Sequence, residues 1–262
     1  LSVASGARLS ETRRLATNGS PRVRVENDAG LVEVVAWERD EIEVTIEKYA
    51  PDERGLALLE VEVSGGPDEV LVTYGAGQAL VDSWVDFKLK CPRATSLDLH
   101  NASGEVLVSG FYGASRVATS SGAIHAARMR GTATLTSASG AIAGAALEGT
   151  VYARSASGDL SFQGHMGGGH RLETASGGIA IDAVNGSVDA RSASGSIEVV
   201  GQLTATSRVR TVSGDIRVHL LKGSRVRVED AGRGTGDIVE TNGVPVLLLQ
   251  TTSGKIEVAE PD

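Results

Sequence analysis

Ser137-Ala138-Ser139-Gly140, Ser155-Ala156-Ser157-Gly158 and Ser192-Ala193-Ser194-Gly195 repeat one short phrase. Looser copies are Asn101-Ala102-Ser103-Gly104, Thr119-Ser120-Ser121-Gly122, Thr174-Ala175-Ser176-Gly177 and Thr211-Val212-Ser213-Gly214. From Gly104 to Gly214 the glycines step by 18, 18, 18, 19, 18 and 19 residues. A fixed period of this length marks stacked structural repeats, each burying its apolar face against the next.

Counting outward from each glycine assigns the strands. Seven and five residues before it stand Leu97 and Leu99, Ala133 and Leu135, Val151 and Ala153, Val188 and Ala190, Leu247 and Leu249. Two and four residues after it stand Val106 and Val108, Ile179 and Ile181, Ile197 and Val199, Ile216 and Val218, Ile256 and Val258. A spacing of two puts both members of a pair on one face of a strand. Each coil therefore supplies two main strands with inward apolar sides. The phrase turns the corner between them, and a second corner with Gly113, Gly131, Gly149, Gly186 or Gly223 closes the coil.

The expected fold is all-β: a single-stranded parallel β-solenoid, or β-helix, with coils of about 18 residues and an irregular N-terminal β cap. The motif glycine is where a left-handed backbone costs least, so Gly158→Ala or Gly195→Ala is expected to cost about 1–2 kcal/mol if φ is positive there. Three residues before it the column reads Asn101, Thr119, Ser137, Ser155, Thr174, Ser192, Thr211 and Thr251. These side chains can satisfy backbone groups that a turn leaves unpaired, and stacked they form a polar ladder.

Outside the regular array, residues 1–20 read as a loose arm or an edge strand. Arg22 to Val34 is a first degenerate coil (near 22–36) around Asn27-Asp28-Ala29-Gly30, and Glu41 to Glu47 is a half-buried strand. Leu59–Val63 and Val70–Tyr74 read as a hairpin-like excursion between turn signals, and Trp84–Leu89 as a strand ending at Cys91-Pro92. Residues 1–92 are expected to cap the solenoid of 93–262, with a separate small β domain as the alternative. Lys222 to Gly236 is expected to bulge as a loop around Asp230-Ala231-Gly232-Arg233-Gly234, with the pattern recovering at Gly236-Asp237-Ile238. The final charges Glu257, Glu260 and Asp262 guard the last rung against edge pairing.

Other solenoids fit poorly. Inward positions at −7, −5, +2 and +4 do not divide into the hexapeptides of left-handed acyltransferase helices. The glycine-rich nonapeptides of calcium-binding β-rolls are missing, and 18 or 19 residues is short for a pectate-lyase-like coil. Trp37-Glu38-Arg39-Asp40-Glu41-Ile42-Glu43-Val44, then Val85-Asp86-Phe87-Lys88-Leu89-Lys90-Cys91-Pro92, then the Ser-Gly-x-Ile repeats resemble a bacterial family of β-strand-repeat proteins known as candidate adhesins, a domain of unknown function. The resemblance runs from about Pro21 to Val258. It implies a β-solenoid and a non-enzymatic adhesion or scaffold role at the cell envelope, outside the cytoplasm. The adhesin label is itself fold analogy.

Composition narrows the function further. The net charge of −8 speaks against nucleic acid as main partner. No apolar run approaches the ~18 residues of a membrane span. A single cysteine, Cys91, cannot form an internal disulfide. The first residue, Leu1, points to a removed upstream piece such as a signal peptide or anchor.

Chemistry is sparse. Serine recurs in every coil, as a corner requires and a unique nucleophile does not, and no catalytic residue is assigned. His165 and His170 sit in one glycine-rich segment without a third ligand, so they read as solvated loop histidines, with no metal and no cofactor expected. The acids of the strand after the corner, Asp159 among them, face a flat surface that excludes no water, which leaves a carbohydrate-active enzyme as the least favoured reading. The outward columns six and four residues before the glycine carry Arg116, Arg154, Arg171, Arg191, Arg208 and Arg210. Such a stripe, at ~4.8 Å per rung, can grip an anionic polysaccharide or an envelope protein through forked hydrogen bonds. Against it, Asp98, Glu173 and Asp189 share the same columns and can neutralise it. The alternative role is the ectodomain of a membrane-anchored sensory or regulatory protein.

Overall fold

The computed structural model describes residues 6–75, 81–164, 166–230 and 244–259, which divide into two compact units, 1–125 and 126–262.

The first unit is built around the degenerate coil. Its strands are β1 (Ala7–Ala16), β2 (Arg22–Asn27), β3 (Val32–Trp37), β4 (Glu41–Ala50), β5 (Val61–Gly65), β6 (Glu69–Tyr74), β7 (Trp84–Pro92), β8 (Ser96–Asn101), β9 (Val106–Ser109) and β10 (Ser115–Thr119), with one short helix, α1 (Glu53–Leu58). Two parallel ladders run through it. One joins β6, β2, β8 and β10; the other joins β7, β3 and β9. Val23, Val25, Val32 and Val34 are wholly buried between rungs. The excursion after β4 returns to place β6 and β7 on the far side of the first coil, so it adds a rung. Antiparallel strands cover that end: β5 on β6, β4 on β7, and β1 on β4 as an edge strand.

The helix is a departure from the sequence reading. The turn signal Tyr49-Ala50-Pro51-Asp52 before the excursion instead opens a helix: the Asp52 carboxylate accepts the Gly55 N–H at 2.7 Å and caps α1. Leu59, expected to open the strand, ends the helix and is buried; β5 starts at Val61. Cys91 is buried, which pushes its thiol pKa upward.

The strand β11 (Ile124–Ser137) contains the boundary between the units. The second unit continues with β12 (Ile142–Ser155), β13 (Leu160–Gln163), β14 (Met166–Thr174), β15 (Ile179–Ser194), β16 (Ile197–Leu203), β17 (Ser207–Ser213), β18 (Ile216–Leu220), β19 (Arg227–Asp230), β20 (Val246–Ser253) and β21 (Ile256–Ala259). It is a parallel solenoid. Strands entering the Ser-Gly corner form one ladder through β12, β14, β15, β17 and β20, and those leaving it form another through β12, β13, β15, β16, β18 and β21. The inward columns are its core: Val151, Ala153, Val188, Ala190, Ile197, Val199, Leu247 and Leu249 are all at most 2% exposed. Ile256 and Val258, on the last rung, are half-buried. Of the expected bulge, Arg227–Asp230 form β19, while 231–236 and the expected recovery at 236–238 lie outside the described residues, as do Glu260 and Asp262.

The two corners differ from expectation in an instructive way. Gly158 and Gly195 are not left-handed. What requires glycine there is the neighbouring coil. A Cβ on Gly158 would lie 2.1 Å from the Gly140 carbonyl oxygen, and one on Gly195 would lie 2.0 Å from that of Gly177. Left-handed glycines occur at both corners: at the motif corner in Gly104, φ 118°, and Gly214, φ 155°, and at the second corner in Gly149, φ 117°, and Gly186, φ 141°. That is how long strands such as β12 and β15 bend without breaking.

The polar ladder is present. Ser155 Oγ accepts the Gly158 N–H at 2.9 Å and donates to the Gly140 carbonyl at 3.1 Å. Thr174, Ser192, Thr211 and Thr251 donate likewise to the glycine carbonyl of the preceding coil, at 2.9–3.0 Å. In the first unit, Asn101 Nδ2 donates to the carbonyls of Gly30 and Gly104, both at 3.0 Å. Buried hydroxyls thus bond to backbone within and between coils, as buried polar groups must.

Candidate binding face

Strand alternation places the −6 and −4 columns outward, and register decides which side chains meet across rungs. In the second unit the −6 column runs Tyr152, Arg171, Asp189 and Arg208, and ends at Leu248, which is buried. The −4 column runs Arg154, Glu173, Arg191, Arg210 and Gln250. Five of the six expected arginines therefore share one face. The sixth, Arg116, lies in the first unit opposite Asp98, whose carboxylate bonds Arg22 at 3.4 Å and His100 at 3.1 Å.

The face is a partly neutralised checkerboard. Arg171 gives Nε and Nη2 to Glu173 Oε1 at 2.8 and 2.6 Å, which raises the arginine's pKa above its ordinary value. Arg191 grips Asp189 through two bonds of 2.9 Å, and Glu173 is 4.0 Å away. The alternation stops at the next rung. Arg208 and Arg210 sit side by side on β17, their next neighbours are Leu248 and Gln250, and neither forms an ion pair among the described residues. Five arginines face two carboxylates, so the face is positive on a chain whose net charge is −8. Two guanidiniums without an ion pair among the described residues can hold planar anions by forked donation.

Beside these columns runs a groove of about 540 Å³. Its floor is the small −8 column of Thr150, Gly169, Ser187 and Thr206; its wall is Tyr152, Arg171, Asp189 and Arg208. Sequence reading had the arginines but not this floor. The signal was a run of Thr, Gly, Ser and Thr at one coil position, meaningful only beside the long side chains of the next outward column.

Two acids near the corner bond the backbone of the next coil. Asp159 accepts the Gly178 N–H at 2.8 Å, and Asp215 accepts the Lys255 N–H at 3.0 Å, each capping the adjacent coil. His170 is a further correction. It lies in β14 and is 3% exposed, in register with Val151 and Val188, so it is an inward core residue rather than a solvated loop histidine. His165 lies outside the described residues. Among the described residues, no group of three or more His, Cys, Asp or Glu side chains converges as a metal site would require, and no helix is long and apolar enough to cross a membrane.

A repeat scaffold with a charged face, where Glu173 and Asp189 are held in ion pairs and Asp159 and Asp215 bond backbone, defines a class: a β-solenoid binding or scaffold module. The chain belongs to the Toastrack DUF4097 family, whose model matches residues 17–258. Two solved structures share the fold. A candidate adhesin from Parabacteroides distasonis ATCC 8503 is 14% identical with a TM-score of 0.64, covering 98% of each chain. A candidate lipid-binding protein from the same organism is 14% identical with a TM-score of 0.60, covering 97% of each. No curated protein matches the sequence.

Proposed function

We propose that this protein is a non-enzymatic binding or scaffold module acting outside the cytoplasm, at the cell envelope, and that its arginine face takes an anionic polysaccharide or the acidic surface of an envelope protein. The observation that carries the reading is the imbalance on that face: Arg154, Arg171, Arg191, Arg208 and Arg210 against Glu173 and Asp189. Random surface ladders tend to neutralise; this one ends in two adjacent guanidiniums, Arg208 and Arg210, with no carboxylate partner among the described residues. The fold shared with a candidate adhesin agrees with an envelope role. Arg116 lies in the first unit, opposite an Asp98 that already bonds Arg22 and His100.

The test is retention on an acidic glycan matrix over a salt series. The wild-type protein should elute steeply later at low salt, because contacts between exposed charges are screened with a Debye length of about 8–10 Å near physiological ionic strength. An Arg208→Ala, Arg210→Ala double variant should lose most of that retention, and Arg116→Ala should keep it. Salt-indifferent elution of the wild type would sink the reading.

A further inference from the structure

The groove beside the arginines has a period, and the period has a chemical meaning. Its wall changes character rung by rung: Tyr152, then cationic Arg171, then anionic Asp189, then cationic Arg208. Successive rungs are ~4.8 Å apart, so the two cations stand ~9.6 Å apart with a carboxylate midway. One rung is close to the advance of one ring along an extended glycan, and two rungs to that of a disaccharide.

The floor suits the same ligand. Thr150, Ser187 and Thr206 offer hydroxyls along it, and Gly169 leaves a gap between the first two. A Cβ built on Gly169 would meet Ser187 Oγ at 3.3 Å, a close approach to a movable hydroxyl, and no backbone within 4 Å. Tyr152 is 46% exposed at the head of the groove, where an aromatic ring can stack on a sugar. Asp189, although held by Arg191, keeps lone pairs that accept hydroxyl protons, and it repels a second anion at that rung. Arg171 binds Glu173 through Nε and Nη2, which leaves Nη1 outside that pair.

Resting on the anion-binding reading above, we propose that the groove binds an extended acidic polysaccharide with one ring per coil, presenting a carboxylate at every second ring to Arg171 and Arg208 and hydroxyls between them to Asp189. The recognition is spacing as well as charge. A polyanion with a charge at every unit and no hydroxyls mismatches Asp189 and leaves the hydroxylated floor unused.

Calorimetry on the full chain at physiological salt tests this with three probes: a hyaluronan octasaccharide, a neutral chitin hexasaccharide and a polyphosphate of the same total charge as the hyaluronan. Hyaluronan should bind, the chitin oligomer at least tenfold more weakly, and polyphosphate no more tightly than hyaluronan. Gly169→Leu fills the groove without changing charge; it should weaken hyaluronan at least tenfold and leave polyphosphate within about twofold. Arg208→Gln supplies a second variant that leaves the groove floor intact, and should also weaken hyaluronan about tenfold. Tighter binding of polyphosphate, or full hyaluronan affinity in both variants, would overturn the groove. If anions bind and only Arg154→Ala or Arg210→Ala removes them, the charged face survives and the groove does not. If no polyanion binds even at low salt, both readings fall.

Discussion

Replacing Gly158 by alanine probes the contact that sets the coil stacking. The backbone there is not left-handed, so the substitution carries no φ penalty of the kind expected from sequence. The cost is steric. The new methyl would lie 2.1 Å from the Gly140 oxygen, 2.5 Å from its carbonyl carbon and 2.8 Å from the Ala141 nitrogen. All three are backbone atoms of the preceding coil, which cannot rotate aside as a side chain can. Relief means separating the coils locally, and overpacking of this kind costs about 1–3 kcal/mol. The separation also strains the Ser155 bridge, whose two hydrogen bonds contribute about 0.5–1.5 kcal/mol each. The expected loss is about 3 kcal/mol. Urea unfolding measures it, with Gly66→Ala as control, since a Cβ there meets nothing within 4 Å and the change should stay within about 0.5 kcal/mol. Repeat arrays are stabilised mainly between nearest neighbours, so hydrogen exchange should show lost protection concentrated in the coils of Gly140 and Gly158. A Gly158→Ala protein within 1 kcal/mol of wild type would refute the crowding argument.

Two further outcomes follow from the same contacts. Ser155→Ala leaves the buried Gly158 N–H and Gly140 carbonyl without their partner and should cost about 2–3 kcal/mol, while Ser155→Thr, which restores the hydroxyl found at Thr174 and Thr211, should recover most of it in the same urea assay. Acid should weaken the first unit. Hydrogen bonds from Lys90 and then Arg14 hold Glu43 below the ordinary carboxylate range, and Lys88 does the same for Glu47. Their folded pKa values lie below the unfolded ones, so the folded state binds fewer protons. That stability is present above the ordinary range and is lost as pH falls through the folded values. The urea midpoint should be flat near neutrality and decline below about pH 4, less so in Glu43→Gln; a midpoint that rises on acidification would contradict the assignment.

The repeat itself was legible without coordinates because its signals are local. Pairs such as Ile197 and Val199 alternate with a strict period of two, and Ser192 and Gly195 stand at fixed offsets from them. The left-handed assignment holds at Gly104 and Gly214 but fails at Gly158 and Gly195, for a reason local chemistry cannot reveal. Glycine serves both positive φ and close approach, and only the stacking of coil on coil shows that Gly158 serves the second. The helix after Asp52 was missed because six residues give too little periodicity to set against turn residues. His170 was misjudged because neighbouring glycines read as loop, whereas its strand is made by pairing on both sides.

The binding face divides along the same line. The arginines could be counted in columns from the amino-acid order alone, and so could the acids among them. The pairs Arg171–Glu173 and Arg191–Asp189 each lie two residues apart on one strand, so they too were within reach of the amino-acid order. Register, a property of two coils at once, set the Arg208 and Arg210 rung beside Leu248 and Gln250. It also set the small residues at Gly169 and Ser187 next to them as a groove. The amino-acid order carries the period because each coil repeats the same local chemistry. The site arises between coils, and the stacked structure alone brings them together.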